Sequence, residues 1–436
     1  MQKRLLWMAV AALLVGAALH AQEPPERGTP AVRLDGVADP PLGRLVEAAL
    51  REHPQVLAAE AALERERALA RAAARPVFNP ELELDVERAD TDDASLRITQ
   101  TLDVAGVRAA RSRVADGEVR AATRRLASSR RDLAVEVLST LGEYWTASEL
   151  ATLAERRFEL LQRVADVAEQ RARVGDATQA DVNLASLARV QARMDGAGAA
   201  ADLAAAEMIL RALVAEPPGG WPRLPTELPP IAVDRAALER LVAAVPEVEL
   251  QQHAVEVAEA DVGLRERERR PAPSVSLVGG EEDDEPLIGV GFSMPLNVRN
   301  RFAAEVDAAR AERVRAEREA DDTTRRALAA AEAATARYTR VRDAWLAWLE
   351  TGVPNLTQQT ELLERLWRTG ELSLTEYLVQ VNQTLDTQQS ALELRRELWD
   401  AWFAWLAATG QTGAWLGLPI ETAAAPNDGT TRRTQR

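Results

Sequence analysis

The sequence predicts a mainly α-helical rod with a small β part, assembled from two copies of one unit. Three observations carry that prediction: long Ala- and Leu-rich stretches with few helix breakers, two segments that alternate strictly between apolar and polar residues, and motifs that return about 190 positions later. The 436 residues hold only 5 Phe and 3 Tyr, a composition that suits long packed helices better than a β-sandwich. There is no Cys, which excludes disulfides and thiolate metal sites.

Met1 to Ala21 reads as a secretory signal, with Lys3 and Arg4, an apolar run from Leu5 to Leu19, and small residues toward Ala21. No Cys follows it, so no lipid anchor is expected there. Loss of Lys3 and Arg4 takes the formal charge from −15 to −17 (−15 − 2). An acidic exported chain is a poor candidate for nucleic acid. Beyond the signal no run of about 18 apolar residues remains, so any membrane crossing must be made by strands.

Residues 22–40, rich in Pro and Gly, read as an extended linker. The first repeat, 41–215, opens with a short amphipathic helix over Leu42 to Leu50 and a second from His53-Pro54 to about Arg75. Asn79-Pro80 stops any helix arriving from Phe78. Leu82, Leu84 and Val86 then alternate with Glu81, Glu83, Asp85 and Glu87, and Leu96, Ile98 and Leu102 with Ser95, Arg97, Thr99 and Thr101. Period two gives one apolar and one polar face, so residues 80–102 read as a β-hairpin. Leu and Glu also favour helix, but residues two apart do not share a helix face. From about Ala105 to Val174 only Gly117 and Gly142 weaken a helical pattern. Those ~70 residues would span about 105 Å. Leu153, Leu160, Val167 and Val174 fall at seven-residue spacing, the mark of a coiled-coil seam. Gly175-Asp176-Ala177 supplies a C-cap and turn, and Thr178 an N-cap with Asp181 in the capping-box place. The returning helix reaches about Ala215.

A Pro-rich linker spans 216–233, and the pattern then repeats over 234–410. Val245-Pro246 answers His53-Pro54 at an offset of 192, Tyr338 answers Tyr144 at 194, and Gly370-Glu371 answers Gly175-Asp176 at 195. Strands within 273–296, with Ile288, Val290, Phe292 and Met294 on one face, answer the first hairpin. The second turn, 370–372, is followed by Ser373 as N-cap and by Glu376, which answers Asp181. Leu378, Leu385, Leu392, Trp399 and Leu406, one every seven residues, imply left-handed supercoiling of the last helix. Each repeat reads as one long helix beside two stacked shorter ones, which places the Pro-rich linker near mid-length. Residues 411–436 read as a C-terminal tail, disordered at its polar end. Four strands leave two open edges, which lipid does not tolerate, so copies from other subunits would have to close them. An isolated soluble four-stranded cap is the alternative.

The segments FNPELELDVE, ITQTLDVAGVRAAR and IGVGFSMPLNVRNR, with the duplication and the two turn motifs, resemble the hairpin-to-helix signatures of the TolC-type outer membrane efflux proteins. The resemblance covers about residues 42 to 410, and the NPELELDVE wording is most similar to the CzcC/CusC-like heavy-metal branch. It implies a homotrimer with a 12-stranded barrel in outer membrane lipid and a long α-helical barrel through the periplasm. It also implies partners: a periplasmic adaptor (membrane fusion) protein and an inner-membrane transporter of the resistance–nodulation–division type. The resemblance further implies a cell of Gram-negative type. A periplasmic coiled-coil adaptor is the runner-up, and the duct of a drug-efflux or type I secretion system a further alternative. Two duplicated helical hairpins without an inner-membrane anchor count against an adaptor.

Two sets of residues are candidates for function. The turns carry Gly175, Asp176, Thr178 and Asp181 in the first repeat and Gly370, Glu371, Ser373 and Glu376 in the second. Capping alone accounts for these residue types. The resemblance makes the turns the periplasmic mouth, where an adaptor docks and the closed state is held. Leu372 stands where a latch Arg can occur and Val379 where a second ring acid can occur, so the usual latch is in question. Glu81, Glu83, Asp85 and Glu87 are expected to line the barrel lumen, where one sign of charge concentrates the opposite ion. The acidic run Glu281 to Glu285 lacks the Gly turn of a calcium loop and reads as a solvated hairpin tip. His53 and His253 stand apart, so no metal cluster and no cofactor is expected. The Trp residues of the second repeat read as interhelical packing. No phosphate loop, nucleophile set or acid–base pair stands out, so an enzyme is not expected.

Overall fold

The computed structural model describes residues 38–88, 92–282 and 285–421. The signal segment 1–21, most of the linker 22–40 and the last residues of the tail lie outside the described residues. The chain runs α1 (Pro40–Glu52), α2 (Pro54–Ala73), β1 (Glu81–Arg88), β2 (Asp92–Thr101), α3 (Val107–Arg173) and α4 (Gln179–Leu213). The second repeat follows with α5 (Arg235–Ala243), α6 (Pro246–Glu268), β3 (Ser274–Glu282), β4 (Glu285–Ser293) and α7 (Ala303–Ala347). A π turn (Trp348–Gly352), α8 (Val353–Thr369), α9 (Leu374–Ala408) and α10 (Thr412–Leu416) complete it.

The spine is α3, 67 unbroken residues and so about 100 Å long. Its start is fixed by Asp103, whose carboxylate accepts from Val107 N at 2.7 Å and Arg108 N at 2.8 Å. Two backbone donors that a helix end leaves orphaned are satisfied there by one charge-assisted group. Toward the strands α3 is flanked by α2 and α6, and α6 packs on α7. Toward the turns it is flanked by α4 and α9, with α8 against α9. Two rows of four helices result, α2–α3–α6–α7 and α4–α3–α9–α8, sharing α3. Gly117 marks a close approach in the first row: a Cβ there would lie 2.7 Å from Val257 Cγ2 of α6.

The long helix of the second repeat is not continuous. The N–H of Val353 bonds to the carbonyl of Trp348, a five-residue step, and Pro354 follows at the start of α8. Proline brings no N–H and crowds the carbonyl four residues back, and the extra residue of a π turn relieves that crowding.

The Pro-rich linker lies across the middle of the rod, where its carbonyls find donors on three helices. Trp145 Nε1 donates to Pro222 O at 2.8 Å, Trp399 Nε1 to Pro225 O at 3.1 Å and Tyr338 Oη to Pro229 O at 2.6 Å. Buried carbonyls must be paired, and a Pro-rich strand cannot pair them by secondary structure of its own. Trp402 and Trp405 stack beside this belt with centroids 5.2 Å apart, both fully buried.

Two sequence expectations change. Residues 411–421 are packed rather than a tail: Trp415, Leu416 and Ile420 are buried, Ala38 N donates to Trp415 O at 2.8 Å, and the Glu421 carboxylate accepts from Gly413 N. The seam in α3 is displaced as well. Leu161, Val164, Ala165 and Ala168 are its buried members, Leu160 and Val167 flank them, and Val174 is exposed at the turn.

Candidate functional site

The four strands form one antiparallel sheet in the order β1-β2-β3-β4. The two hairpins are joined because β2 pairs with β3, Ile98 opposite Leu277 and Thr99 opposite Ser276. Residues directly opposite share a face. Leu82, Leu84 and Val86 therefore lie with Leu96, Ile98, Val275, Leu277, Ile288, Val290 and Phe292. Among the described residues nothing covers this face: Ile288 is 90% exposed, Val290 76%, Phe292 70% and Leu82 69%. An apolar surface of this extent marks contact with lipid or another protein. Among the described residues no helix is long and apolar enough to cross a membrane.

The opposite face carries Glu81, Glu83 and Asp85 of β1, Ser95, Arg97 and Thr99 of β2, and Ser274 and Ser276 of β3. Glu87 has the same parity and pairs with Asp93. Across β4 this face narrows to Gly289 and Gly291, where a side chain would press on Val278 and on Ser276 Oγ. Small residues on one face let a sheet curl toward it. Arg97 Nε lies 3.5 Å from Glu83 Oε2. Parity alone places that arginine among the acids, and the sequence reading named it without giving it a role. Of the acidic run 281–285, Asp283 and Asp284 lie outside the described residues.

At the other end both turns have the same build. Gly175 and Gly370 hold left-handed φ values of 82° and 78°, which strain any residue with a Cβ. Thr178 and Ser373 each close a capping box. Asp181 Oδ2 accepts from Thr178 N at 2.9 Å and Glu376 Oε2 from Ser373 N at 3.0 Å. The bonds from the Thr178 backbone and hydroxyl hold the Asp181 carboxyl below its ordinary range, and those from Ser373 do the same for Glu376. Asp176 follows Gly175 with its N–H bonded to Arg171 O at 2.8 Å, and Glu371 accepts from Thr369 Oγ1 at 3.1 Å. One apolar cluster of Leu161, Val164, Leu363, Trp367, Tyr377 and Leu378 brings the turns to the same end, with Trp367 stacked on Tyr377 at 4.8 Å. Leu372 packs against this cluster while Val379 is exposed. Among the described residues no group of three or more His, Cys, Asp or Glu could hold a metal ion. His53 Nδ1 caps α2 by accepting from Gln55 N, and His253 pairs with Glu256 at 3.0 Å.

Residues 45–216, nearly the whole first repeat, match the outer membrane efflux protein family. That part of the chain is similar to that family. Its members form channels rather than an enzyme class. The sequence is similar to the cobalt-zinc-cadmium resistance protein CzcC of Cupriavidus metallidurans, 27% identical over 242 residues. That match takes in 52% of this chain and 56% of CzcC, so it spans about half the length of this curated relative. Solved structures agree in fold over a longer stretch. The outer-membrane channel OprN matches at a TM-score of 0.73 and 18% identity, over 87% of this chain and 91% of its own. CusC matches at 0.72 and 18%, over 86% and 92%, and CmeC of Campylobacter jejuni at 0.73 and 12%, over 85% and 86%. The fold of this chain is therefore that of these solved channels.

Proposed function

We propose that this chain is one subunit of a homotrimeric outer-membrane exit duct in a tripartite efflux system, passively conducting heavy-metal cations. The observation that carries the reading is the sheet, apolar on one face, charged on the other, and open at both edges. Strands of 8 to 10 residues are close to the length that crosses the outer membrane when tilted. Open edges are untenable in lipid, and three copies close them as 12 strands (3 × 4). The apolar face then meets lipid, and Glu81, Glu83, Asp85 and Glu87 face the lumen. The helix rows extend the hole, and their open edges, α4 of one copy against α8 of the next, close by a heterologous contact. Leu187, Val190 and Met194 on α4 and Leu362 on α8 are exposed apolar residues available for it.

The turn end, with Gly175, Asp176, Thr178, Asp181, Gly370, Glu371, Ser373 and Glu376, is the periplasmic mouth. A periplasmic adaptor docks there, and an inner-membrane transporter of the resistance–nodulation–division type supplies energy and cargo. Metal cations are favoured as cargo by the likeness to CzcC and by the acidic lumen face. The protein is exported on a signal cleaved near Ala21 and is not lipidated. Membrane fractionation tests the reading. A heat-resistant trimer in the outer membrane that forms cation-preferring channels in a planar bilayer is the expected result. A soluble or inner-membrane species would overturn it.

A further inference from the structure

The lumen face holds one base among its acids. With described side chains it carries Glu81, Glu83, Asp85 and Glu285 against Arg97, a balance of −3 per chain (−4 + 1). Among the described side chains of the sheet, Arg97 is the only Lys or Arg. Its Nε is buried without a hydrogen-bond acceptor and stands 3.5 Å from Glu83 Oε2, an ion-pair distance. Across β3 its partner is Val278, and the next position on that face is Gly289, so nothing bulky separates the guanidinium from the open side of the sheet. Register puts Glu83 two residues above the helix end of β1, with Glu81 below it and Asp85 above. The base thus interrupts the acid column at its inner end, where cargo leaving the helical part would first meet the strands.

We infer that Arg97 sets the ion selectivity of the strand lumen by neutralising Glu83 and limiting how strongly the acid column holds a passing divalent cation. The inference rests on the lumen assignment proposed above. A pore lined only by acids binds multivalent cations too well to release them, whereas conduction needs entry sites that are favourable yet weak. An Arg is suited to this because it is charged at every physiological pH. One unit charge about 7 Å from a passing monovalent ion in a water-like medium changes its occupancy about threefold, and that of a divalent ion about sevenfold.

The test is the cation-to-anion permeability ratio of the full-length protein in a planar bilayer under a salt gradient. Assembly of each variant is checked first as a heat-resistant oligomer. Arg97→Gln is expected to raise the ratio at least about threefold, Glu83→Gln to lower it by a similar factor, and the double variant to return to the wild-type value. Arg97→Lys keeps the charge without the planar fork and is expected to retain the wild-type ratio. If Arg97→Gln does not assemble, Glu83→Gln carries the measurement. A ratio unmoved by both Arg97→Gln and Glu83→Gln while Glu81→Gln shifts it would overturn the role of Arg97 and leave the lumen assignment standing. A ratio unmoved by any of the three would overturn the lumen assignment itself. A shift in Arg97→Lys as large as in Arg97→Gln would show that charge is not what matters.

Discussion

The two repeats are tied at mid-length by an ion cluster whose disruption has a calculable sign. Arg131 of α3 is 8% exposed; its Nη1 donates to Glu247 Oε2 at 2.6 Å, and its Nη2 to Glu247 Oε1 and to Asp132 Oδ1. Ser128 Oγ donates to Glu247 Oε1 at 2.8 Å. Burial by itself raises the Glu247 carboxyl, but the hydrogen bonds and charge of Arg131, with the Ser128 bond, outweigh it and the net shift is downward. Removing one partner of a buried pair costs about 3–5 kcal/mol because the other charge is left uncompensated. Glu247 is 37% exposed and Asp132 remains beside the guanidinium, so Glu247→Leu is expected to cost less, about 2 kcal/mol. Arg131→Met together with Glu247→Leu removes both charges and is expected to lie within about 1 kcal/mol of wild type. A folded-state value below the ordinary one means the contribution is present at neutral pH and lost as pH falls through the folded value. The gap between wild type and Glu247→Gln should therefore close below about pH 4. Thermal unfolding of the detergent-solubilised protein, followed by circular dichroism, measures all three variants. A double variant less stable than Glu247→Leu would refute the reasoning.

Other outcomes follow from single contacts. Gly117→Ala is expected to destabilise by about 1–2 kcal/mol despite the better helix former, because its Cβ meets the stiff Val257 side chain. Adding Val257→Ala should reverse the sign, and thermal melts of both variants check it. Tyr338→Phe leaves Pro229 O without its donor and is expected to cost about 1–2 kcal/mol, read in the same melts. The capping boxes should loosen as pH falls through the depressed values of Asp181 and Glu376. Hydrogen exchange at their own amides is expected to lose protection relative to mid-helix amides below about pH 4.

What could be read from the chain alone was whatever is local. The alternation in Glu81 to Val86 and the capping boxes at Thr178 and Ser373 express themselves within a few residues, and the offset of 195 between Gly175 and Gly370 is legible because each turn repeats the same local motif. The Asp103 cap was also local, a carboxylate four and five residues before its two donors, but it lies outside the usual capping-box spacing. The features that escaped depend on partners far along the chain. No pattern near Arg131 announces Glu247, 116 positions away, and none near Leu102 announces the pairing of β2 with β3. Residues 411–420 read as the start of the tail, yet Trp415 and Ile420 are buried, Trp415 against Trp402 and Phe403 of α9. The π turn had a sign in Gly352-Val353-Pro354, but a proline at that place is equally the mark of an ordinary helix start.

The absence of Cys makes the central claim open to direct measurement, because single cysteines can be added one at a time along β1. Each variant of the assembled outer-membrane protein would be challenged with a membrane-impermeant, water-soluble maleimide. The account predicts period two: Glu83→Cys and Asp85→Cys react through the lumen, while Leu82→Cys and Leu84→Cys are protected by lipid. Equal labelling at all four positions would contradict it.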